Sequence, residues 1–150
     1  MRTVRVYVDS SVIGGAFNTR IAEATKPFWD TFFHGEIIII ASDVLEDELR
    51  KAPQRAQDFY ADLPPSQIEK IVSTDESDTF AERYIVDGVV SKESLDDCKH
   101  VAMATLAGAD VIVSWNLKHM VKQSEEYKKV NAKLGYPRIN IQTPDKEIQT

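Results

Sequence analysis

Three acidic residues set the chemical question for this chain of 150 residues. Asp9 follows a short alternating run, Val4-Arg5-Val6-Tyr7-Val8, and precedes Ser10-Ser11-Val12-Ile13-Gly14-Gly15. The run reads as a strand and the small residues as a turn into a helix. In an open parallel sheet, ligands bind in the crevice beyond the carboxyl ends of the strands. An acid there, beside hydroxyls and in line with a helix N-terminus, is placed for chemistry. The competing reading of Asp9 is a plain helix N-cap.

Helix geometry selects the second and third acids. In Asp43-Val44-Leu45-Glu46-Asp47-Glu48-Leu49-Arg50, only Glu48 shares a face with Val44, Leu45 and Ala52 at about 100° per residue. Asp43, Glu46 and Asp47 fall with Arg50 and Lys51 on the opposite, solvated arc and are assigned no function. A carboxylate on an apolar face must be paired, protonated or bound to a cation. The competing reading of Glu48 is therefore a salt bridge to a Lys or Arg. In the helix expected over residues 95–108, Asp97 shares a stripe with Val101, Ala104 and Gly108, whereas Asp96 lies with Lys99, His100 and Met103 on the wetter side. The competing reading of Asp97 is a first-turn acid stabilised by the helix dipole. Asn116, in Ser114-Trp115-Asn116 after the strand Val111-Ile112-Val113, can accept a hydrogen bond or ligate through its carbonyl without adding charge. His100 and His119 are within reach of such a site but are set aside as surface or packing residues.

Elements able to position these groups alternate along the chain. The strands expected are Val4 to Val8, Ile37 to Ala41, Ile68 to Val72, Val111 to Ser114 and Arg138 to Gln142. Helices are expected on either side of Pro27, from Ser42 to about Lys51, between Pro53 and Pro64, from 77 to 86, from 95 to 108 and from 117 to 134. Gly135 and Pro137 supply the final stop. Strands separated by helices predict one α/β domain over residues 1–150, three layers deep, with a mostly parallel central sheet.

Composition narrows the classes. With 43% hydrophobic residues the chain buries a core without staples, and its single Cys98 is read as a small buried apolar residue. The lone cysteine, the lack of an apolar run of membrane-spanning length and the absence of a signal-peptide pattern lead us to expect a cytoplasmic protein with no membrane contact. The net charge of −6 argues against a broad basic nucleic-acid face. A phosphate substrate would need a local cation, which a metal ion can supply. Lysines 118, 122, 128, 129 and 133 are available for backbone contacts, although a charge-rich helix is more often simply solvated.

The order and spacing of Val6-Tyr7-Val8-Asp9-Ser10-Ser11-Val12, Ser42 through Glu48-Leu49, Asp97 through Ala104 and Ser114-Trp115-Asn116 resemble the PIN-domain ribonucleases, and within them the VapC-type toxins of toxin-antitoxin pairs. The resemblance implies a PIN-like parallel sheet between helices and hydrolysis of RNA with Mg2+ or Mn2+. It also implies a homodimer held by a cognate antitoxin. Carried over by position, Asp9, Glu48 and Asp97 match the acidic metal ligands, and Ser11 and Ser114 match supporting hydroxyls. Asn116 departs from the Asp often found at the fourth place, which puts a second metal in question. Two rivals stay open. One is a catalytically silent PIN-like interaction domain, for which Asn116 argues. The other is a haloacid-dehalogenase-like phosphatase with Asp9 as nucleophile, which wants a second Asp where Ser11 stands.

Overall fold

A computed structural model describes residues 3–148. Its centre is a five-stranded sheet in the order β3-β2-β1-β4-β5, and every pairing is parallel. The strands are β1 (Val4–Val8), β2 (Ile37–Ser42), β3 (Ile68–Ile71), β4 (Val111–Val113) and β5 (Ile141–Gln142). Val6 pairs with Ile39 on one side and with Val111 on the other, so β1 is the central strand. The order reverses there: β2 and β3 are laid down on one side of β1, β4 and β5 on the other. The crevice between the carboxyl ends of β1 and β4 is thus the topological switch point, the place where open α/β sheets bind ligands.

The helices are α1 (Ser10–Gly15), α2 (Ala22–Phe33), α3 (Asp43–Arg50), α4 (Gln54–Ala61), α5 (Asp75–Val86), α6 (Leu95–Leu106) and α7 (Ser124–Leu134). Strand alternation sorts the core into two halves. Val6 and Val8 face a cluster with Phe28, Trp29, Phe32, Leu45 and Leu49, while Tyr7 faces one with Phe80, Tyr84, Val101, Met103 and Tyr127. Helices on both faces of one parallel sheet give the three layers expected, and the sheet is wholly rather than mostly parallel. Cys98 is fully buried, as its composition argument required. Among the described residues no helix is long and apolar enough to cross a membrane.

Most expected boundaries shift by no more than two residues, and three shift further. Pro27 lies inside one continuous α2 rather than between two pieces. An interior proline costs about 3 kcal/mol, but Phe28, Trp29 and Phe32 on the same helix are buried, and each ring returns roughly 1.5–3 kcal/mol. The helix expected from Leu117 begins only at Ser124. Asn116 Oδ1 accepts the His119 amide at 3.1 Å, and the backbone turns sharply at Met120, whose side chain is fully buried. The last strand is reduced to Ile141 and Gln142, short of the expected start at Arg138.

Candidate active site

Asp9 and Ser114 stand at the switch point, one residue past β1 and one past β4. Asp9 is the N-cap of α1, so the two readings of this acid are compatible: the capping geometry is what holds its carboxylate in the crevice. Ser11 donates to Oδ1 from its backbone N at 3.1 Å and from Oγ at 2.5 Å, and Ser114 Oγ donates to Oδ2 at 2.5 Å. Those hydroxyls are fixed in turn, because Trp115 N donates to Ser11 Oγ and Asn116 N to Ser114 Oγ, each at 2.9 Å. Asp9 is 5% exposed. Burial pushes its carboxyl above the ordinary range, and the charge of His100 and the two serine hydroxyls offset only part of that rise.

Glu48 reaches the same place from α3. Ser42 opens this helix by accepting the Leu45 amide at 3.1 Å, and the burial of Leu45 and Leu49 turns Glu48 inward. Its Oε1 meets His100 Nε2 at 3.0 Å and lies 3.4 Å from the Ser10 amide. Burial would raise Glu48, but the hydrogen bond and charge of His100 win and hold it below the usual carboxylate range. The other acids of α3 have separate tasks: Asp47 pairs with Arg50, Asp43 accepts from Ser73, and Glu46 accepts from Tyr60 and pairs with Lys70. Asp43 and Glu46 are thus half-buried structural ties rather than solvated charges.

Asp97, in the first turn of α6, is half-buried, whereas Asp96 is exposed. Asn116 Nδ2 donates to its Oδ1 at 3.0 Å. Burial raises Asp97 against the opposing charges of His100 and His119, and Asp9 and Glu48 raise it further by repulsion. The three carboxylates therefore act on one another through space.

His100 is the residue that sequence reasoning missed. It was placed on the wetter side of its helix with Met103, yet both are buried, because α6 lies between the sheet and α5 and is covered nearly all round. Its Nδ1 is 2.6 Å from the Tyr7 hydroxyl, which is itself 2.6 Å from Ser42 Oγ. This buried chain runs from the N-cap of α3 through the central strand and α6 back to Glu48. Burial would lower His100, but Glu48, Asp9 and Asp97 together raise it. Two sequence signals were available: a lone Tyr between valines in the central strand, and a His three residues after Asp97, directly before the apolar run Val101-Ala102-Met103-Ala104.

Among the described residues, no three His, Cys, Asp or Glu side chains stand together as a ready-made metal site. The donor chemistry nonetheless suits a hard divalent cation, since every group offered is an oxygen. Of the three acids, Asp9 is engaged through both oxygens, whereas the hydrogen bonds given by His100 and the Ser10 amide to Glu48 fall on Oε1 and that of Asn116 to Asp97 falls on Oδ1. Asn116 is spent otherwise than expected. Its carbonyl holds the His119 amide and its NH2 holds Asp97, so it orients an acid instead of presenting a ligand. The lysines of α7 are engaged with acids, Lys128 with Glu125, Lys129 with Glu126 and Lys133 with Asp87, in keeping with a solvated helix face.

No family model matches the chain, and no curated protein matches it. Solved structures do. A chain of VapBC2 from Rickettsia felis, in a crystal structure bound to a DNA fragment from its promoter, matches at TM-score 0.59 and 13% identity, over 93% of this chain and 98% of that one. VapC20 of Mycobacterium tuberculosis, a sarcin-ricin-loop cleaving toxin, matches at TM-score 0.58 and 14% identity, over 90% of this chain and 98% of that one. The protein thus has the PIN-like fold of the VapC toxins over nearly its whole length, the fold that its sequence resemblance implied.

Proposed function

We propose that this protein is a divalent-metal-dependent ribonuclease and the toxin of a toxin-antitoxin pair, with Asp9, Glu48 and Asp97 as its acidic centre. The observation that supports the reading is that the three acids are tied to the same switch point of a PIN-like sheet: Asp9 through Ser114, Glu48 through the Ser10 amide, and Asp97 through Asn116, whose amide bonds Ser114 Oγ. Three such charges repel one another, and a hard cation is their natural partner.

Bound there, Mg2+ or Mn2+ would polarise a phosphodiester oxygen and lower the pKa of an attached water. The chain's own part is positional. Asp9 is locked by Ser11 and Ser114 and serves as the fixed anchor. Glu48 is oriented by His100, and Asp97 by Asn116, each with one oxygen left to hold the ion or to orient the attacking water. RNA as substrate, a cognate antitoxin as partner and a homodimer as assembly belong to this reading. They draw support from the fold shared with VapC20 and with VapBC2.

One observation favours a second reading, a catalytically silent interaction domain. The acids do not stand at metal-holding distance as placed, and Asn116 neutralises the fourth position. The phosphatase reading is weaker, because both oxygens of Asp9 are engaged by serines, which leaves a poor nucleophile. A metal titration coupled to cleavage of single-stranded RNA separates these. The ribonuclease reading expects cleavage that depends on Mg2+ or Mn2+, stops with a chelator and falls at least a hundredfold in Asp9→Asn, Glu48→Gln and Asp97→Asn. Metal-independent cleavage, or full activity in Asp9→Asn, contradicts it.

A further inference from the structure

Beside the acidic centre lies a cleft of about 490 Å³ lined by Ser11, Gly15, Phe17, Arg55 and Trp115 among others. Ser11 and Trp115 belong to both places. Ser11 Oγ is on Asp9, and Trp115 N is on Ser11 Oγ. A ligand in the cleft therefore rests against the residues that fix the first acid.

The cleft walls combine two rigid aromatic rings with one cation. Trp115 is pinned by Nε1, which donates to Thr25 Oγ1 at 2.9 Å, and its indole packs on Gly15, where a β-carbon would come within 3.2 and 3.3 Å of the ring. Phe17 stands edge-on to Phe59 with centroids 5.4 Å apart. Arg55 lies 5.3 Å over the Phe17 ring and donates to the Phe17 carbonyl at 3.1 Å. Among the described residues no carboxylate pairs with Arg55, whereas all three lysines of α7 are paired. The Arg55 guanidinium is instead held at the cleft wall by the Phe17 ring and carbonyl.

We propose that this cleft is a nucleotide subsite for single-stranded RNA, with a base against Trp115 and Phe17 and its phosphate on Arg55. The inference rests on the ribonuclease reading and names where the substrate flanking the scissile bond is held. Single-stranded RNA is recognised by aromatic and guanidinium planes on which unstacked bases lie, each such contact being tolerant of base identity. Held rings lose little freedom when a base stacks on them. Arg55 also offers what a broad basic face offers elsewhere, one charge-assisted contact per phosphate.

The test is an intrinsic-fluorescence titration with a short unstructured oligoribonucleotide in chelator, where cleavage does not interfere. The protein carries Trp29→Phe, so that Trp115 is the only reporter. Trp29 is buried with its Nε1 unpartnered, and Phe conserves the packing without that donor. RNA is expected to quench Trp115 saturably. Arg55→Ala, at an exposed position, should weaken binding about tenfold and lower the slope of log affinity against log salt by about 0.7. Phe17→Leu should weaken binding several-fold with the salt slope unchanged. Equal affinity and slope in Arg55→Ala, or RNA binding without quenching, overturns the subsite. Quenching by an acidic peptide with none by RNA overturns it also, in favour of a protein partner. The ribonuclease reading fails separately: quenching without metal-dependent cleavage by the wild type supports the subsite and removes the hydrolysis. Cleavage with an unchanged KM in Arg55→Ala removes the subsite alone.

Discussion

The imidazole of His100 joins the carboxylate of Glu48 at 3.0 Å while its other nitrogen lies 2.6 Å from the phenol of Tyr7. The inward-turned acid of α3 is thereby tied through the core to the N-cap of its own helix, since Tyr7 reaches Ser42. Glu48 is below its usual value of 4.5 and His100 above 6.5, each because of the other. The sign of the pH dependence follows. The His100 contribution is complete below 6.5 and is lost as pH rises through the raised value in the folded state. The Glu48 contribution is complete above 4.5 and is lost as pH falls through the lowered value.

His100→Ala should therefore cost about 2–3 kcal/mol at pH 5.5, below the range for a fully buried pair because Glu48 is partly solvated. Urea unfolding at pH 5.5 and at pH 9 measures this. A loss that is no smaller at pH 9 would contradict the ion-pair account.

Asp9 and Asp97 carry the opposite sign. Both are raised, chiefly by burial, so each opposes folding as pH climbs from the ordinary carboxylate range through its raised value. Asp97→Asn keeps an acceptor for Asn116 and removes one charge. Without metal it should raise the melting temperature at pH 7 by about 2–4 °C, a gain of ~1 kcal/mol after solvent screening. The gain should vanish near pH 3. A scanning melt at the two pH values decides it.

Gly15 is required by a close approach. A β-carbon there would lie 2.9 Å from Thr25 Oγ1 and 3.2 Å from Trp115 Nε1, astride the hydrogen bond that joins them. Gly15→Ala should cost about 1–3 kcal/mol by overpacking and should red-shift the Trp115 emission as the indole is displaced. Gly14→Ala, which meets nothing within 4 Å, is the control and should be neutral or mildly stabilising in α1.

The strands and the inward turn of Glu48 were legible because each rests on local pattern. Ile37 to Ala41 reads as a doubly buried strand, and helix periodicity puts Glu48 on the side of Leu45 and Leu49, although it does not show that Asp43 and Glu46 are half-buried too. The role of His100 was not legible, because its burial depends on α5 closing over α6, a non-local event that helix periodicity does not encode. The partners of Asn116 were not legible for a similar reason. Its value as a turn-former holding His119 and Asp97 emerges only when β4 and α6 are side by side. At Pro27 local propensity lost to the burial of the aromatic residues that follow it.

Asn116→Asp converts a donor 3.0 Å from Asp97 into a second carboxylate. Without metal this pair of like charges should destabilise the fold by about 1–2 kcal/mol at pH 7, and a divalent ion that bridges them should restore it. Melting with and without Mn2+ reads the linkage. A variant as stable as the wild type in chelator, and indifferent to Mn2+, would place Asn116 outside the reach of any ion.

The most direct measurement of the central claim is calorimetric titration of Mn2+ into the wild type and into Asp9→Asn, Glu48→Gln and Asp97→Asn. If the three carboxylates share one cation, the wild type binds one ion per chain, and each variant binds at least tenfold more weakly. Binding that all three variants retain, or a wild type that binds no ion, would contradict it.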